Sequence, residues 1–153
     1  MILVRRTIES DAQSLFDWRN DEKTRAASVS NNILGWDEHS EWLDGVLRDP
    51  RRFLYVVEDD LVTPDSRVAV CRFDLSDDAS SAEVSINLNP AVRGKGMARQ
   101  ILAEAIAQFH GDCVDGLPLT ATIRPSNLAS IRIFTSLGFV RSGADSEFDH
   151  YRL

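Results

Sequence analysis

"NPAVRGKGMARQIL", Asn89 to Leu102, is where the chain changes period. Upstream, "AEVSINL" (82–88) alternates. Glu83, Ser85 and Asn87 fall on one face and Val84, Ile86 and Leu88 on the other, as in a half-buried strand. Downstream, Met97, Ile101, Ala105 and Ile106 share a helical stripe, with Leu102 and Phe109 at its flanks. The join carries Arg93, Gly94, Lys95 and Gly96. A helix start offers backbone N–H groups without intrahelical partners. Glycine lets a ligand approach them without meeting a Cβ, and the helix dipole favours an anion there. Arg93 to Ala98 (Arg93, Gly94, Lys95, Gly96, Met97, Ala98) therefore reads as a cradle for a phosphate or pyrophosphate. The plainer alternative is a turn whose glycines supply special backbone angles and whose cations face solvent.

Spacing narrows the ligand. There is no GxxxxGK[ST], so the loop is not a nucleoside triphosphate P-loop. A dinucleotide GxGxxG needs a third glycine where Arg99 stands, and it expects a parallel βαβ unit, whereas the preceding strand reads as part of an antiparallel meander.

That meander is built from "RFLYVVED" (52–59), "RVAVCRF" (67–73) and "AEVSINL", linked by the turns "DLVTPDS" (60–66) and "DLSDDASS" (74–81). "MILVRRTI" (1–8) predicts an earlier strand. "ESDAQSLFDWRND" (9–21) predicts a helix with Ser10 as its N-cap. "EKTRAASVSNNILG" (22–35) reads mostly as loop, with room for one helical turn. "WDEHSEWLDGVLRDP" (36–50) predicts a helix with Trp42, Leu43, Val46 and Leu47 on one side and Pro50 past its end. After the glycine loop, "HGDCVDGLP" (110–118) breaks the long helix and "LTATI" (119–123) is a short strand. "NLASIRIFTSLGF" (127–139) predicts a helix burying Leu128, Ile131, Phe134 and Leu137, with Gly138 ending it. "FVRSGA" (139–144) and "EFDHYRL" (147–153) close the order. The fold class is α/β (α+β): a mixed, largely antiparallel sheet of about six to seven strands with about four helices.

The chain has 153 residues, enough for one domain (1–153) with a core of its own. Its net charge of −7 disfavours general nucleic-acid binding, though it says nothing about a single loop. The two cysteines, Cys71 and Cys113, match no metal or disulfide spacing, so both read as buried or half-buried thiols and no metal is expected. No signal peptide or spanning segment is legible, which makes the expected location cytoplasmic and the expected partners non-membrane.

Two motifs carry a resemblance. The first is Arg or Gln, two residues, Gly, one residue, then Gly or Ala, at a strand-to-helix join; it falls on Arg93, Gly96 and Ala98. The second is a helix-opening Asn, a small residue, an aromatic and Gly-Phe; it falls on Asn127, Ser130, Phe134, Gly138 and Phe139. Together they make the chain resemble the GCN5-related N-acetyltransferases. The resemblance implies acetyl-coenzyme A as cosubstrate. It implies backbone groups of Ile86, Asn87 and Leu88 on the pantetheine arm, the amides of Arg93 to Ala98 on the pyrophosphate, and Asn127, Ser130 and Phe134 beside the cofactor arm. It also implies a splay between "AEVSINL" and "LTATI" for the acetyl group, with a backbone N–H near Leu88 as oxyanion donor. Many family members carry a tyrosine acid at the place of Phe134, which has no proton to give.

Glu83, with Ser85 beside it, is the candidate base, and His39 a second. For the acceptor, Trp18-Arg19-Asn20 resembles a segment of both nucleotide-amino-sugar N-acetyltransferases and ribosomal-protein N-terminal acetyltransferases, while "EHSEW", with His39 and Trp42, is more similar to the sugar group. Trp18, Arg19, His39 and Trp42 are the candidate acceptor residues, and Arg19, Arg25 and Trp36 candidates for a nucleotide. The acceptor is then a small-molecule or peptide amine. A non-catalytic acetyl-coenzyme A-binding module is the third alternative, and either a monomer or a homodimer fits.

Overall fold

The structure is a computed structural model and describes residues 1–28, 32–62 and 64–153. Part of the irregular stretch 22–35 (Val29, Ser30 and Asn31) and Thr63 of the turn 60–66 lie outside the described residues.

Seven strands form one sheet in the order β1-β2-β3-β4-β5-β7-β6. They are β1 (Ile2–Arg6), β2 (Arg52–Asp59), β3 (Arg67–Leu75), β4 (Ala82–Leu88), β5 (Leu119–Ile123), β6 (Val140–Ala144) and β7 (Asp149–Arg152). The expected meander is present: β2 and β3 pair antiparallel, as do β3 and β4. β4 is also parallel to β5, so β4, its following helix and β5 make a βαβ unit that the meander alone did not predict. The missing third glycine, rather than strand direction, is what separates the loop from a dinucleotide site.

The helices are α1 (Ala12–Arg19), α2 (Glu22–Ala27), α3 (Trp36–Arg48), α4 (Ala98–Asp112) and α5 (Leu128–Ser136). α2 is one more than the sequence reading counted. It has no buried residue and so no apolar stripe to betray it. Its N-cap Asp21 accepts from the Thr24 N–H at 3.1 Å, satisfying a first-turn donor. α4 runs past the expected stop at His110 to Asp112. Tyr55 explains the extension: its hydroxyl donates to Asp112 Oδ2 at 2.7 Å, tying the last turn to β2. Ser10 is not an N-cap; it lies within a 3-10 turn, Glu9–Asp11, and Asp11 takes the capping role by accepting from the Ile8 N–H at 2.9 Å.

Each face of the sheet has its own core. On one, α4 packs Ile101, Leu102, Ala105 and Phe109 against β2 to β5. Leu102 and Phe109 thus sit at the centre of the stripe rather than its flanks, and Met97 and Ile106 are only half-buried. Phe109 stacks on Phe73 with centroids 4.3 Å apart. Burying a side chain of that size contributes about 2–3 kcal/mol. α5 adds Phe134 to this core, while Leu128 turns to solvent instead of inward. On the other face, Leu15 and Trp18 of α1 and Leu43 and Val46 of α3 cover Leu54, Val56 and Val70. Leu47 lies outside that contact, exposed.

Candidate active site

The parallel pairing of β4 with β5 holds only at Ala82 with Leu119 and Glu83 with Thr120. Beyond that point the strands part. Ladder geometry fixes what the gap receives. The Ala82 N–H donates toward β5, to the Pro118 carbonyl at 3.0 Å, and the Asn89 N–H donates toward β3, to the Val68 carbonyl at 2.9 Å. Backbone groups alternate sides along an antiparallel strand. Ile86 and Leu88 therefore aim their N–H and C=O groups into the gap, past the last pair with β5.

This gap is the centre of a cleft of about 980 Å³. Val84 to Leu88 form its β4 wall, Thr122 and Ile123 its β5 wall, and the glycine loop one end. Gly94 and Gly96 take φ of +73° and +72°, a region that favours glycine. A Cβ at either would meet open space, so the glycines serve backbone conformation and access. α4 starts at Ala98 with Met97 as N-cap and no side-chain cap, which leaves its first N–H donors to whatever enters the cleft. Gly94, Gly96, Met97 and Ala98 all line it, as do Asn127, Ser130 and Phe134. Asn127 uses its Oδ1 to cap α5, accepting from the Ser130 N–H at 3.2 Å. Its amide NH₂ remains a donor in a residue that lines the cleft.

The cationic side chains divide differently from the sequence reading. Arg93 turns away from the loop: Nη1 donates to Asp21 Oδ2 at 2.6 Å and Nη2 to Thr24 Oγ1 at 2.5 Å. Thr24 Oγ1 also lies 3.3 Å from Asn87 Oδ1, so α2 is fastened across the end of β4. Lys95 is exposed and outside the cleft lining. Arg99 and Arg132, which the sequence reading passed over, line the cleft instead. Arg99 had a signal: a cation in the first turn of a helix opposes the dipole, so its presence there asks for an anion.

The acceptor candidates also separate. Arg19 and Trp42 line the cleft, with the Arg19 guanidinium 4.2 Å from the Trp42 ring centroid. Trp18 does not; it is core, packed with Leu15 and Leu43. His39 is a correction too. It is fully buried, and its Nε2 lies 2.9 Å from the Ala12 carbonyl, which fixes the proton on that nitrogen. Burial holds its pKa below the usual value, only partly opposed by that hydrogen bond, so it is a neutral strut between α3 and α1. Asn20 staples the chain behind the cleft, donating to the Leu34 carbonyl at 3.0 Å and accepting from the Leu34 N–H at 2.9 Å. Arg25 and Trp36 lie outside the lining.

Ser85 faces the cleft, but Glu83 stands just beyond it, exposed. Thr122, which lines the cleft, reaches out to Glu83, with its Oγ1 3.4 Å from Glu83 Oε2. The same hydroxyl is 3.4 Å from His150 Nδ1, and His150 Nε2 is 3.0 Å from Asp145 Oδ2. Cys71 offers no nucleophile here: it is buried in the α4-side core, and burial pushes its thiol up to about 12. No group of metal-ligating side chains occurs among the described residues, and no helix there is long and apolar enough to cross a membrane.

A family model described as an acetyltransferase (GNAT) domain matches residues 2–140. No curated protein matches the sequence significantly. Among solved structures, a spermidine N-acetyltransferase from Vibrio cholerae, in complex with CoA and spermine, aligns with a TM-score of 0.82 at 19% identity, covering 99% of this chain and 92% of that one. A domain from Methanocaldococcus jannaschii aligns at 0.83 and 20% identity, covering 100% and 97%. The Campylobacter jejuni N-acetyltransferase PseH, in complex with acetyl coenzyme A, aligns at 0.73 and 17% identity, covering 100% and 98%. At these identities the likeness is one of fold.

Proposed function

Because the chain belongs to the acetyltransferase (GNAT) domain family, acyltransferases whose cosubstrate is acetyl-coenzyme A, we propose that it acetylates a primary amine held in the cleft between β4 and β5. The single observation that carries this reading is the parting of β4 from β5, which points the backbone of Ile86 and Leu88 at the space where a thioester arm would lie. The open first turn of α4 beside Gly94 and Gly96 supports a pyrophosphate at one end of that space. Arg99 and Arg132 supply cations there, while Arg93 acts by positioning the loop.

Bound acetyl-coenzyme A supplies an activated acyl carbon. The chain's own residues do the rest. An amine in its ammonium form has no free electron pair, so a base must take its proton. We assign this to Glu83 acting through the Thr122 hydroxyl and a bridging solvent molecule. His150 offers a second route to the same hydroxyl, since donation of its Nε2–H to Asp145 leaves Nδ1 as an acceptor. The Leu88 N–H is assigned to the oxygen of the tetrahedral intermediate. Phe134 cannot protonate the departing sulfur, but a thiol with a pKa of about 8.5 leaves as thiolate without an acid. Transfer is direct, with no acyl group carried on Cys71.

The finer assignment is the amino group of a nucleotide-linked amino sugar. The size of the cleft and the Trp42 face within it support an acceptor larger than a simple amine. Thiol release from acetyl-coenzyme A, measured with a nucleotide-linked amino sugar, a free N-terminal peptide and spermidine, tests both levels. Amine-dependent release is predicted, strongest with the amino sugar. Tight acetyl-coenzyme A binding without amine-dependent release would reduce the protein to a binding module.

A further inference from the structure

The cleft is charged with one sign. It is lined by Arg19, Lys23, Arg72, Arg93, Arg99 and Arg132, and by no Asp or Glu among the described residues, in a chain of net charge −7. Arg93 is neutralised by Asp21. Arg99 and Arg132 belong to α4 and α5, at the donor end. Lys23 is exposed on α2, and Arg19 and Arg72 are left on the far side, on α1 and β3, where a donor pyrophosphate at the α4 end does not account for them.

Their state is unusual. Arg19 lies over Trp42, and its Nη1 is shut from solvent with no hydrogen-bond partner among the described residues. No carboxylate among the described residues pairs with it. Arg72 lies 3.0 Å from Asp74 through Nε, yet that N–H is buried and off-line for a hydrogen bond, and Asp74 is shared with Arg52 at 3.2 Å. Burial, and then the nearby Arg72 charge, hold the Arg19 pKa below its usual value. A desolvated guanidinium beside a like charge is costly unless something negative joins it. Two planar forks, that of Arg19 lying over the Trp42 face, suit an oxyanion, which they can grip with paired N–H donors. Register supports a shared target: Arg72 is paired across the ladder with Ser85, the cleft-facing residue of β4.

We propose that Arg19 and Arg72 form an oxyanion clamp for the acceptor, so that the amine acetylated here also carries a phosphate or carboxylate. This rests on the acetyl-transfer reading above and adds the substrate class. A polyamine, cationic along its length, would meet like charge in this cleft.

Two measurements test it. Inorganic phosphate is titrated into protein saturated with coenzyme A, and the arginine Nε–Hε signals are followed by NMR. Saturable shifts of Arg19 and Arg72 are expected, with the Arg19 shift lost in Arg72→Gln; no shift in either, or an unaltered Arg19 response in Arg72→Gln, would overturn the clamp. In turnover, matched pairs separate the anion sources: glucosamine 6-phosphate against glucosamine, and alanine against alaninamide. The anionic member of at least one pair should be preferred, and the preference should fall about ten-fold or more in Arg72→Gln and Arg19→Lys while KM for acetyl-coenzyme A holds. Equal use of both members of each pair, or spermidine as the preferred acceptor, would overturn the assignment while leaving acetyl transfer intact. No acetylation of any amine would overturn the transfer reading, whereas the phosphate titration reads the clamp without turnover.

Discussion

Asp11 is fully buried and holds three parts of the molecule together. Its carboxylate accepts from Arg5 Nη1 at 2.8 Å, from Arg67 Nε at 2.8 Å and from the Ile8 N–H at 2.9 Å. Burial alone would raise its pKa, but Arg5, the Ile8 N–H and Arg67 together hold it at about 2. A carboxylate with a depressed pKa stabilises the fold above its unfolded pKa and loses that contribution as pH falls through the folded one. The shift is equivalent to about 2 kcal/mol. Denaturant titrations should therefore show wild-type stability falling between about pH 4 and pH 2. Asp11→Asn should be destabilised at pH 7 by about 2 kcal/mol or more, since it leaves Arg5 and Arg67 short of a counterion, and the gap should narrow in acid. A gap unchanged between pH 7 and pH 2 would contradict this account of Asp11.

At the scale of elements, α2 decides how the cleft is bounded. Asp21 caps it and holds Arg93, Thr24 reaches Asn87, and the Arg124 Nε donates to the Ser28 carbonyl at 2.9 Å from the end of β5. The short helix is thus tied to both strands that form the gap. Asp21→Ala removes the cap, worth about 1 kcal/mol, and frees Arg93. The acceptor KM should rise several-fold with a smaller change in global stability than a core truncation causes. Thermal melts beside steady-state kinetics check this; an unchanged acceptor KM would mean that α2 does not shape the acceptor side. The same helix shows where sequence reading stops. "EKTRAA" (22–27) has no apolar periodicity, because its ties are polar and reach partners as distant as Arg93. "AEVSINL" was legible because burial of one face imposes alternation on it. Gly94 and Gly96 were legible because a positive φ selects glycine whatever the fold around it. Arg72 had a weak signal, as a charge interrupting the apolar run "RVAVCRF", but only the register beside Ser85 shows where it stands. His39 and Trp18 looked like cleft residues by type, and only packing reveals them as core.

At the scale of the whole molecule, the sheet is continuous at its closed end and divided at the other. β4 satisfies β3 along its whole length but β5 for only two residue pairs. The core under α4 joins Val84 of β4 to Leu119, Ala121 and Ile123 of β5 on one face, so the open backbone of Ile86 and Leu88 lies within ordered strands that a shared core keeps in place. In the proposed reaction this opening holds a thioester whose acyl group passes straight to an amine. The most direct measurement uses acetyl-coenzyme A labelled in the acetyl group and quantifies, in one reaction, free coenzyme A and labelled N-acetyl product. Direct transfer yields equal amounts of both, each dependent on added amine, with no label on the protein. Coenzyme A released without amine, label retained on the chain, or binding with no transfer to any amine would contradict it.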